Sequence, residues 1–198
     1  MLATVIIDPP SIAGAAALFT LLSARSIARA AAAGIGALRA EQRRHVAAGA
    51  LLGAWFAVCF GWHAFRYPAW MLCYLVDPAR LPVAVWYPVF VLALIACGAG
   101  AALWTARLVA AGNRRGAWTV ALGSFALWLL LFGVTLRRYV HVGTYADWLS
   151  GRAPLLRDQP AVLAQFNTVG AITGAGVVAA VIYRIWVERR RALVPAHG

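Results

Sequence analysis

Apolar residues in this chain come in blocks, and the polar residues gather in the gaps between them. The clearest block is Trp118–Leu136, nineteen residues without a charge, closed by Arg114 and Arg115 before it and by Arg137 and Arg138 after it. As a helix rising about 1.5 Å per residue it matches the roughly 30 Å hydrocarbon core of a bilayer. Residues 46–65, 83–106 and 160–183 read the same way. A fifth block, 9–24, is shorter, and Pro9 and Pro10 suit the first turn of its helix. A soluble chain of 198 residues has no core large enough to hide several such helices. The pattern therefore predicts an all-α, polytopic integral membrane bundle of about five transmembrane helices, a single unit over residues 1–198.

The gaps differ in character. Residues 25–45 are Ala-rich and basic, with Arg25 and Arg29 one helical turn apart, as in an interfacial helix touching phospholipid or an extension of a spanning helix. His45, beside Arg43 and Arg44, reads as interfacial too. Residues 66–82 hold three prolines around an aromatic centre and are too short to cross. Residues 137–159 form a second long loop over the same end of the bundle. The first block lacks basic residues ahead of its apolar part, so it is expected to be a span and not a cleaved signal.

Composition sharpens the class. Hydrophobic residues make up 63% of the chain and charged ones 12%, about half the charge of a soluble domain. The formal charge of +12 comes from eighteen Arg with no Lys. These arginines sit at the ends of apolar blocks, which is the positive-inside pattern and not a nucleic-acid stripe. With five spans and the N-terminus outside, twelve arginines fall on the inner face and six on the outer. Asp8, Asp77, Asp147 and Asp158 fall outside, Glu41 and Glu188 inside. The expected setting is a bacterial inner membrane, multi-pass, with a cytoplasmic C-terminus. Without Lys no Schiff base can form, so a retinal pigment is excluded.

Candidate chemistry collects on the outer face. Arg66, Tyr67, Asp77, Arg137, Arg138, Tyr139, Tyr145 and Asp147 could together bind an anionic ligand or a lipid head group. His63 and His141 end up at similar depth, and paired imidazoles from different helices can hold haem iron or another metal. Gly98, Gly100, Gly170 and Gly174 offer close helix packing. No nucleophile elbow, histidine box or phosphate loop is present in the sequence. The leading expectation is a non-enzymatic membrane protein binding a ligand or membrane lipid at its outer face, within a homo-oligomer, a larger complex or a small-solute transport system. The alternatives are a redox subunit using His63 and His141, and a membrane scaffold. A site, if present, is expected outside, because the inner loops look chemically monotonous.

Overall fold

The computed structural model describes residues 9–66, 83–138, 147 and 150–193. The described chain is helical, without strands. Its helices are α1 (Pro9–Leu21), α2 (Ala24–Ala32), α3 (Ile35–Arg66), α4 (Val83–Ala110), α5 (Arg114–Arg138) and α6 (Pro160–Leu193). Two of them, α4 over Tyr87–Ala110 and α6, are long and apolar enough to cross a membrane, and a third span results if α1 and α2 count as one bent element. The apolar blocks 46–65 and 118–136 lie within α3 and α5.

The first block departs from a simple span. The helix breaks at Leu22 and Ser23, and α2 turns away from α1 by 61°. Ser23 N–H bonds back to Thr20 rather than four residues back, which tightens the last turn and ends α1. The basic stretch is not one interfacial helix either. Gly34, at φ +107°, separates α2 from α3, a conformation that glycine adopts without a Cβ penalty. Only α2 keeps an amphipathic face, with Ser26 and Ile27 buried while Arg25 and Arg29 are exposed.

Small residues set the packing. Helix α4 packs against α1, α2, α3 and α5, and the run of Gly14, Ala15, Ala16 and Ala17 on α1 lets α4 and α5 approach that helix closely. A Cβ at Gly14 would sit 3.1 Å from the Phe125 ring of α5. The tightest contact joins α3 to α4, backbone against backbone: Gly49 faces Gly98, and a Cβ at Gly53 would lie 2.6 Å from the Leu94 carbonyl oxygen. Tyr87 adds a hydrogen bond across this pair, donating to the Ala57 carbonyl at 2.7 Å. Gly98 therefore lies in a helix interface, whereas a Cβ at Gly100 or Gly174 meets nothing within 4 Å. Gly170 is buried.

The turn between α4 and α5 follows local rules. Asn113 N–H bonds to Leu108 O and Gly112 N–H to Val109 O, a Schellman closure with Gly112 at φ +76°. Asn113 then caps α5, its Oδ1 accepting from Gly116 N–H at 2.8 Å. A cluster of Ala17, Leu21, Ile27, Ala106 and Ala117 brings the end of α1, α2, the end of α4 and the start of α5 together. This is the Arg-rich end of the bundle. Helix α6 is different: it packs lightly against α1 and α3, and only 11% of its most apolar stretch is buried.

Candidate functional site

Tyr67, Asp77, Tyr139, His141 and Tyr145 lie outside the described residues, as do the side chains of His63, Arg66, Arg137 and Arg138. Asp147 is half-buried, and its carbonyl accepts from Arg152 N–H at 2.8 Å and Ala153 N–H at 3.0 Å. No group of three or more His, Cys, Asp or Glu side chains suited to a metal occurs among the described residues. Along α6, Thr168 and Thr173 donate to carbonyls of their own helix, at 3.0 and 2.8 Å, so those hydroxyls are spent locally.

The polar concentration that the structure does contain is at the Arg-rich end. Helix α3, at 32 residues, is far longer than a bilayer core needs, and its first turns carry Glu41 and His45 one turn apart. Helix α6 carries Arg184, Glu188 and Arg191 at i, i+4 and i+7, hence on one face. The two faces meet. Glu41 Oε1 lies 3.7 Å from Arg184 and 3.6 Å from Arg191. Glu188 Oε1 lies 4.0 and 3.6 Å from the same two guanidinium groups. Helix α2 joins through Ser26, which donates to Glu188 at 2.5 Å and accepts from Arg191 at 3.2 Å. Ser23, at the break before α2, accepts from Arg184. Arg44 reaches Glu41 Oε2 from the solvent side at 3.5 Å.

Electrostatics explain how this cluster tolerates burial. Both carboxylates are buried, and the two arginines on α6 match their charge. An isolated buried ion costs several kcal/mol or more, so the balance is a condition of the fold. His45 is 1% exposed, not interfacial as its arginine neighbours suggest. It precedes the apolar block at Val46, and burial, followed by the Arg184 charge, drives its pKa down to about 4. Its Nε2 is 3.3 Å from Arg184 Nη2 and 3.5 Å from Glu41 Oε1. One nitrogen cannot accept from the guanidinium and donate to the carboxylate together. The neutral ring accepting from Arg184 is the consistent state, since a proton there would add a fifth, unmatched charge. Arg184 also stacks over Phe19 of α1, 5.6 Å from the ring centroid.

Two grooves flank α6. One, of about 630 Å³, is bounded by α1, α2, α5 and α6, with Leu21, Trp118 and Ile185 on its walls and Arg25, Arg114 and Arg189 beside them. The other, of about 410 Å³, lies between α1, α3 and α6 and is walled by Ala16, Phe19, Leu52, Trp55 and Ala180. Both volumes fall in the range of small-molecule sites. The Arg-rich end of the bundle is thus chemically richer than its sequence suggests. The signal was present within each helix, as the i, i+4 pairs Glu41–His45 and Arg184–Glu188. That the two faces meet is a tertiary fact. Comparison with known proteins found no matching family model, no matching curated protein and no matching solved structure.

Proposed function

We propose that the chain is a small, non-enzymatic, multi-pass membrane protein that binds an amphipathic ligand between its helices. The observation that carries this reading is the stance of α6. It is docked through the Glu41–Arg184–Glu188–Arg191 cluster at one end and packs lightly elsewhere, with a groove on either side. Apolar walls open to the flank suit an acyl chain or a similar amphiphile better than a water-soluble metabolite.

In this reading the binding surface moves from the outer loops to the flanks of α6. The topology is five spans, with blocks 46–65 and 118–136 crossing beside α4, α6 and the first block. The N-terminus is outside, the C-terminus is cytoplasmic, and the membrane is a bacterial inner one. The protein works inside an oligomer or a larger membrane complex, because the exposed apolar faces of α3 and α6 leave wide lateral surfaces. Native mass spectrometry of protein extracted in mild detergent tests the reading. The expected result is a chain that carries a retained amphiphile of some kind through extensive washing, and a bare chain under the same conditions refutes it.

A further inference from the structure

Resting on that reading, we propose that the groove between α1–α2, α5 and α6 is a site for one anionic phospholipid, its phosphate held by Arg25, Arg114 and Arg189. The three arginines come from three different helices, α2, α5 and α6, and converge on one cavity. All three are exposed, and none pairs with an acid among the described residues. Glu188, also on the lining, turns its Oε1 to Ser26, Arg184 and Arg191, and those two guanidinium groups balance its charge and that of Glu41.

Depth supports a lipid over a free anion. On α5, Trp118 lies one turn further into the apolar block than Arg114, and on α6 Ile185 lies one turn deeper than Arg189. Leu21 ends α1 just before Arg25. Each arginine is therefore paired with an apolar wall residue on its membrane side, which places a basic rim over a greasy floor. A phosphodiester with an acyl chain satisfies both, whereas inorganic phosphate leaves a groove of about 630 Å³ largely unfilled. Trp118, one turn below the rim, suits the boundary between head groups and acyl chains, where indole rings concentrate. Multiple guanidinium groups favour a net negative head group over a zwitterionic one, because the choline or ethanolamine cation would face the same three charges.

Lipid titration of the purified full chain, read by native mass spectrometry, tests this. Phosphatidylglycerol is expected to bind one per chain and at least about tenfold tighter than phosphatidylcholine, with excess inorganic phosphate displacing neither. The R25Q/R114Q/R189Q variant should lose that preference, while R39Q/R43Q/R107Q, three exposed arginines off the groove, should keep it. Ala192→Trp keeps all three charges but places an indole in the groove's wall, and should weaken phosphatidylglycerol binding by obstructing it. Should the triple variant fail to fold, the Ala192→Trp result decides. Equal binding of the two lipids would overturn the anionic site and leave the amphiphile reading intact. Displacement by phosphate would make it a free-anion site, and equal losses in both triple variants would reduce it to general surface charge. If no lipid is retained at all, both readings fall.

Discussion

His45 is the residue whose setting has the most direct physical consequence. Its pKa is about 4 in the fold, against an ordinary 6.5. Between those values the unfolded chain binds a proton that the native ring refuses, so stability falls as pH drops from about 6.5 towards 4. One pKa unit is about 1.36 kcal/mol, which makes the loss at the acid end on the order of 3 kcal/mol. His45→Gln keeps a side-chain acceptor for Arg184 and removes the titration. Thermal melting across that pH range should show a steep acid limb in the parent and a visibly shallower one in the variant. Parallel limbs would mean that the ring is protonated or solvated in the fold. Sequence alone points the other way for this residue, because Arg43 and Arg44 beside it are exposed and only the helical period separates their faces from that of His45.

Among the elements, α3 and α4 depend on glycine for their separation, and only some of the glycines matter. Gly98 and Gly100 are two residues apart, which on a helix places them about 200° around the axis, so one partner cannot touch both. Gly98 faces Gly49, and Gly100 faces open space. Leucine at Gly49 or Gly98 would drive a branched side chain into a facing carbonyl, and the expected loss in melting stability is about 1–3 kcal/mol or more. Alanine at Gly100 or Gly174 should be neutral or should raise stability by up to about 0.5–1 kcal/mol, since it removes backbone freedom from the unfolded chain. If Gly49→Leu and Gly98→Leu melt like the parent, the two helices are not in backbone contact. Helix positions were legible because long uncharged blocks have few other uses, and the prolines and glycines at their edges mark the stops. Which glycines touch was only partly legible: Gly49 and Gly53 carry the G-x-x-x-G spacing of a close-packing face, which Gly100 lacks, but that spacing does not name the partner or its register.

At the scale of the whole molecule, one end collects most of the charged residues that the structure describes. The end of α1, all of α2, the starts of α3 and α5 and the ends of α4 and α6 meet there. The matched Glu41, Glu188, Arg184 and Arg191 cancel, so the net positive charge comes from the remaining exposed arginines, including Arg25, Arg39, Arg114 and Arg189. The proposed cytoplasmic placement of the Arg-rich loops rests on that excess and not on the buried pairs. The distribution was readable along the sequence, but the same reading placed the functional surface at the opposite end, where aromatic loops looked richer. The cluster at the Arg-rich end was not legible there, because ion pairs formed between distant helices, such as Glu41 with Arg184, have no sequence spacing to betray them. Topology follows from the same excess. Reporter fusions after Arg115 and after Arg191 should read cytoplasmic, and a fusion after Gly151 should read external. A cytoplasmic signal at Gly151, with external signals at the other two, would reverse the bundle. The arginine rim at Arg25, Arg114 and Arg189 would then face the leaflet where no positive-inside pull holds it, and both the orientation and its link to the basic groove would fail together.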